Sequence, residues 1–146
     1  MNETDVDEAV FTLLRFYEAM HRWGMSAIEF GKTVFADEDD RRQHHDALLS
    51  KFRMILDEYT TPQNRSMRSS DEAISYDHRN PEFDPDKIEV LHTESFDDSI
   101  EVTLQEAYGM HWIMKYRLYR IGDGWKIGGD RQVRTKNGKA FRKIPL

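Results

Sequence analysis

A chain of 146 residues with 33% charged side chains and a mean hydropathy of -0.78 is the size of one ordinary domain, and no apolar stretch in it reaches membrane-spanning length. Eight Phe, six Tyr and three Trp supply apolar area for a real core, which argues against disorder, and the absence of cysteine removes disulfides, cysteine-ligated zinc and thiol catalysis together. The formal charge of -6 hides an asymmetry: from position 123 onward seven basic residues stand against two acidic ones, whereas the preceding residues carry fourteen basic and twenty-five acidic. An acidic body disfavours nucleic acid and favours a basic partner through long-range attraction.

The N-terminus, MNETDVDEAV, has acids where a secretion signal needs a positive flank, so a cytoplasmic location is expected. Val6, Val10, Leu13, Leu14 and Tyr17, widened by Phe16, Met20 and Trp23, form a helical stripe behind Thr4 and Asp5, predicting a first helix over about 5–22 that Gly24 weakens or bends. Met25 to Phe35 reads as a short or irregular continuation. A second helix follows the acidic run Asp37 to Asp40, because His45, Leu48, Leu49, Phe52, Ile55, Leu56 and Tyr59 recur at helical spacing, and Pro62 closes it. Helices thus occupy about 5–60.

Residues 61–86 are an irregular connection rich in Ser, Asn, Asp, Arg and Pro, with short pieces of structure expected around Ala73 to Tyr76 and turns at Asn80-Pro81 and Asp84-Pro85. From Lys87 to Val133 the period changes to two. Ile88, Val90 and His92, then Ile100, Val102 and Leu104, then Trp112, Met114, Tyr116 and Leu118, then Trp125 and Ile127 mark one face of an antiparallel meander. Strands are expected over about 87–95, 99–107, 110–121 and 125–133, with turns at Asp97-Asp98, near Gly109 and at Gly122-Asp123-Gly124. A basic tail, 134–146, holds a further turn at Lys136-Asn137-Gly138 and a segment Lys139 to Lys143 that either forms a last edge strand or frays. The expected class is α+β, with the N-terminal helices packed on a mostly antiparallel sheet.

No catalytic motif emerges. The six histidines lack metal-ligand spacing, and adjacent His44 and His45 point about 100° apart on a helix, so no metal is expected. Glycines 122, 124, 128 and 129 belong to turns and bulges, with no following helix to cradle a phosphate. Asp57, Asp97 and Asp98 sit where solvated acids are ordinary. The polar face of the sheet is the better candidate: Glu89, Glu101, Thr103, Gln105, His111, Lys115, Arg117 and Tyr119 are expected side by side, either as a solvated surface with cross-strand ion pairs or as a partner-binding face.

Helices first, an irregular connection, then a meander ending in "YRLYRIGDGWKIGG" resembles the nuclear transport factor 2-like superfamily, in which a curved sheet wraps helices as a cone. Within it, "FYEAMHRWG" at 16–24, "PEFDPDKIEVLHTE" at 81–94, and the closing hairpin with Trp125, Ile127 and the following "DRQVR" are similar to immunity proteins of bacterial polymorphic toxin systems. Gly24 stands where that pattern leads one to expect an acid.

The resemblance implies one cone-like domain over 1–146, no enzymatic activity, no cofactor, and a cognate toxin as partner, possibly a basic nuclease. A small-molecule isomerase or dehydratase-like enzyme of the same superfamily is the alternative. It would use the cone interior, where Tyr17, His21, His92, Trp112 and Tyr116 are the pocket candidates. A homodimeric binding module, with the open sheet face as its contact, is a third reading.

Overall fold

The computed structural model describes residues 2–62, 83–107 and 111–144, apart from the side chains of Asp130 and Ile144. Two helices, α1 (Glu3–Lys32) and α2 (Glu38–Tyr59), precede a short 3-10 turn (Pro85–Lys87) and five strands: β1 (Ile88–Ser95), β2 (Ser99–Glu106), β3 (Ile113–Ile121), β4 (Gly124–Arg134) and β5 (Arg142–Ile144). The strands pair antiparallel in chain order. Where β5 stops short of the first half of β4, Thr60 forms a parallel bridge with Ile127, and Thr61 N–H donates to the Ile127 carbonyl at 2.9 Å. Counting that bridge, the sheet is six-stranded, mostly antiparallel, and covered on one face by two N-terminal helices.

Helix α1 is longer than its stripe suggests at both ends. Its cap is Asn2 rather than Thr4 or Asp5: the Asn2 side chain accepts from Asp5 N–H at 2.9 Å while Asp5 Oδ2 accepts from Asn2 N–H at 3.1 Å, a reciprocal box that satisfies two end donors. The helix then runs through Gly24 and Gly31 to Lys32, so the continuation expected after Gly24 is regular helix and belongs to α1 itself. A glycine inside a helix costs about 1 kcal/mol, and burial of Ala27, Ile28 and Phe30 in the next two turns offsets it.

Helix α2 starts where the acidic run places it, with Asp37 Oδ1 accepting from Asp40 N–H at 2.8 Å. At its other end, Lys126 donates to the carbonyls of Asp57 and Glu58, placing a cation on the negative pole of the helix dipole.

Cross-strand register gives the sheet two faces. Ile100, Leu118 and Ile127 form one inward row, Leu104, Met114 and Val133 another, and Val102 and Tyr116 lie between them. Against these rows α1 lays Ala9, Leu13, Phe16, Tyr17 and Met20, and α2 adds Phe52, Leu56 and Tyr59, in one contiguous core. Beyond Met20, α1 leaves the sheet and packs on α2, where Phe30, Leu48 and Leu49 form a smaller cluster.

Trp23 joins the two clusters. Its ring lies 4.8 Å from that of Phe52, and its Nε1–H donates to the Leu48 carbonyl at 2.8 Å.

Strand β1 departs from simple alternation. A bulge between Val90 and His92 places Leu91 outside the register, so His92 pairs with Thr103 on the outer face and Thr93 pairs with Val102 on the inner one. The expected order, His92 in and Thr93 out, is therefore inverted. One extra residue flips every side chain beyond it. Val90 remains on the inner face yet is 37% exposed, because the helices lie mainly over β2 and β4.

The pieces expected around Ala73 to Tyr76, the Asn80-Pro81 turn and the reversal near Gly109 lie outside the described residues. Among the described residues, no helix is long and apolar enough to cross a membrane.

Replacing Trp23 by Phe removes the indole donor and part of the ring that joins the two clusters. Urea unfolding should show a loss of about 1–2 kcal/mol. An unchanged midpoint would mean that the helix pair is held by other contacts.

Candidate functional site

The outer face of the sheet is built in two transverse rows. One runs Thr103, Lys115, Gln132, Lys143 across β2 to β5, and the other runs Glu101, Arg117, Gly128 across β2 to β4. Glu101 lies between two cations, with Arg117 Nη2 at 3.2 Å from one carboxylate oxygen and Lys115 Nζ at 3.8 Å from the other. Its side chain is only 13% exposed, so this ion pair sits in a more sheltered setting than an ordinary surface bridge.

Aromatic rings frame the charges. The Arg117 guanidinium lies 4.1 Å from the Phe96 ring centroid, and Lys115 and Arg134 lie 4.3 and 5.0 Å from that of Phe141.

An irregularity in β4 shapes this face. Lys115 pairs with Gln132 and Arg117 with Gly128, so Tyr116 alone opposes Gly129, Asp130 and Arg131. Gly129 has φ +72°, a conformation side chains rarely adopt. At Gly128 a Cβ would come within 2.7 Å of the Tyr119 ring, so the ring lies directly on glycine backbone. The result is a notch of about 270 Å³ lined by Glu101, Lys115, Arg117, Tyr119, Gln132 and Lys143, with the two glycines contributing to its lining.

Of the residues expected on this face, Glu101, Lys115, Arg117 and Tyr119 come together in the notch. Thr103 lies in the same sheet but is buried, and Gln105 is half-buried beside Ile113, which sits on the outer face yet is itself buried. Glu89 stands apart and exposed on β1, opposite Gln105. His111 is not in the row: β3 starts at Ile113, and His111 precedes it with φ 52° and Nδ1 3.2 Å from the Glu106 carbonyl. The left-handed backbone there ends the alternation at Ile113, short of the strand start expected at about 110. Gln132 and Lys143 were missed because the β4 irregularity and the pairing of β5 decide which way they face.

Of the five interior candidates, Tyr17 and Tyr116 meet. Their hydroxyls are 2.8 Å apart, Tyr17 Oη–H also lies 3.7 Å from the Met114 thioether, and Arg131 Nη1 donates to Tyr116 Oη at 3.2 Å. Phe83, buried with φ 64°, packs edge-on against Tyr17, and the Arg131 guanidinium lies 5.5 Å from the Phe83 ring centroid. His21 is a half-buried neighbour on α1, and among the described residues its buried Nδ1 has no hydrogen-bond partner. Trp112 packs on the edge of the core from just before β3. His92 faces away, as the β1 bulge requires.

Burial, and after it the neighbouring Tyr116 phenol, raises the pKa of Tyr17 well above its ordinary 10.0. The Tyr17 phenol is therefore neutral throughout the physiological range.

Elsewhere, His44 Nδ1 lies 2.8 Å from the Asp40 carbonyl oxygen and 3.4 Å from Asp40 Oδ1, whereas the His45 ring packs near Phe30. Among the described residues, no group of three or more His, Asp and Glu is placed to hold a metal. Set against protein-family models, curated proteins and solved structures, the chain has no match.

Because the folded state holds the Tyr17 proton more tightly than the unfolded chain, its contribution to stability is complete below about pH 10 and falls as pH rises toward the folded pKa. Stability measured by urea between neutral and strongly alkaline pH should drop in the native chain. That drop should be shallower in Tyr17→Phe, which should itself cost about 1 kcal/mol at neutral pH through the lost hydroxyl contact. Identical alkaline slopes for the two proteins would show that Tyr17 does not titrate differently on folding.

Proposed function

We propose that this protein is a non-enzymatic immunity protein of the nuclear transport factor 2-like type, which binds a cognate bacterial toxin and neutralises it by covering its active surface. The observation that carries the reading is the outer sheet face. Glu101, Lys115, Arg117 and Tyr119 converge there with Phe96 and Phe141 into a mixed-charge surface framed by aromatics. Protein interfaces are enriched in aromatics and arginine, and paired charges around a shaped depression fix the register of two partners.

The residues behind the family resemblance also play coherent parts. Phe16, Tyr17, Met20 and Trp23 in the first quoted stretch, and Trp125 and Ile127 in the closing hairpin, belong to the core cluster or pack against it. They pack between the helices and the sheet, leaving the opposite face for a partner.

A net charge of -6 gives a basic toxin a favourable long-range approach. A cytoplasmic location follows from this role, since the toxin must be met inside the cell that makes it.

The enzyme alternative draws on Tyr17 and Tyr116. Their hydroxyls engage each other, the Met114 thioether and Arg131, so both phenols are already held in contacts that anchor helix to sheet. That arrangement favours a structural role.

Co-expression with the toxin encoded beside the gene tests the proposal. The native chain should restore growth and co-purify with the toxin. Arg117→Glu, which puts two acids together on the outer face, should lose both, whereas Lys51→Glu on the helical side should retain them. Loss of neither with Arg117→Glu would move the contact off the sheet, and failure of the native chain to bind or protect would end the reading.

A further inference from the structure

The charge on the candidate face runs against the charge of the whole chain. The notch holds three cations, Lys115, Arg117 and Lys143, and one acid, Glu101. Glu101 engages Lys115 and Arg117, so those two cations are already partly neutralised. Lys143 is exposed, and register places it in line with Lys115 through Gln132; among the described residues it has no carboxylate partner.

Gln132 adds an amide that can donate into the same space. A volume of about 270 Å³ falls below the usual range of small-molecule sites and suits one or two side chains.

We propose that this notch receives the carboxylate of an Asp or Glu on an exposed loop of the protein partner, so that a chain of net negative charge grips its partner by an acidic side chain. Lys143 supplies the cation facing the incoming carboxylate, Gln132 the neutral donor beside it, and Tyr119 the wall resting on Gly128. Glu101 fixes Lys115 and Arg117 in place, which lowers the entropy cost of presenting them.

A stacked nucleobase fits less well. Cations of the chain itself already lie over the Phe96 and Phe141 rings, and Glu101 would stand close to a phosphate.

The proposal rests on the reading of this face as a partner surface, and it is tested separately from toxin protection. The whole purified chain is titrated with N-acetyl hexaglutamate, with hexalysine and with a thymidine hexanucleotide, by calorimetry at low salt. Hexaglutamate should bind best. Lys143→Glu, and independently Gln132→Glu, which adds a charge without touching the short terminal strand, should each weaken it at least about fivefold. Lys51→Glu should not.

Equal binding by all three variants, or preference for hexalysine, would overturn the acidic-loop assignment. Tighter binding of the hexanucleotide, lost in the same two variants, would replace it with a nucleic-acid surface. Protection from the toxin without hexaglutamate binding removes the notch proposal and leaves the immunity reading. Hexaglutamate binding without protection supports the notch and removes the immunity reading.

Discussion

Two helices cover one face of an antiparallel sheet, and the contact between Tyr17 and Tyr116 ties α1 to β3 within that arrangement. Leu13, Phe16, Tyr17 and Met20 present only about two turns of helix to inward rows contributed by β2, β3 and β4. Apolar packing of this kind tolerates sliding, whereas a phenol pair at 2.8 Å, with Arg131 behind it, has a defined geometry and loses its hydrogen bond if the helix shifts by a residue. The hydrogen-bonded phenols thus fix register, while the surrounding Leu, Ile and Phe side chains supply most of the stabilisation at about 1.5–3 kcal/mol for each fully buried large residue.

The length of α1 has consequences elsewhere. Thirty helical residues span about 45 Å, more than the sheet can cover, so the last turns need another partner. Helix α2 provides it through Leu48, Leu49 and Phe52, and Trp23 makes the junction. Because α2 is fixed to α1 at one end and to the edge of β4 at the other, through the Thr60 bridge and the Lys126 cap, the helix pair is braced on the inner side. The candidate contact surface lies on the opposite face of the sheet.

That opposite face is shaped by backbone irregularity more than by side-chain choice. The two extra residues of β4 opposite Tyr116 bring Arg131 inward to the phenols and leave Gly128 and Gly129 on the notch side. The same feature therefore completes the buried polar contact and opens the external depression, so the interior and the proposed partner surface are built by one departure from regular pairing.

Much of the architecture was legible in the sequence. Period-two runs marked four strands, Gly122-Asp123-Gly124 marked their closing hairpin, and the acids before Arg41 marked the start of α2, because each depends on local sterics or on the period of burial. Helix α1 running through Gly24 was not legible, since Ala27, Ile28 and Phe30 offset the cost of glycine only when α2 is present to receive them. Nor was the reversal at His92, because a bulge adds one residue without leaving a compositional mark.

At the candidate site, Glu101, Lys115, Arg117 and Tyr119 were readable as neighbours from strand alternation alone. Gln132 and Lys143 joined them only through pairings that skip residues in β4 and recruit the last strand. Sequence by itself determined the class of fold and the polarity of its faces, because burial acts residue by residue at a fixed period. Only the tertiary structure decided which charges share a notch, because cross-strand register is settled by how whole strands pair and not by the residues within one strand.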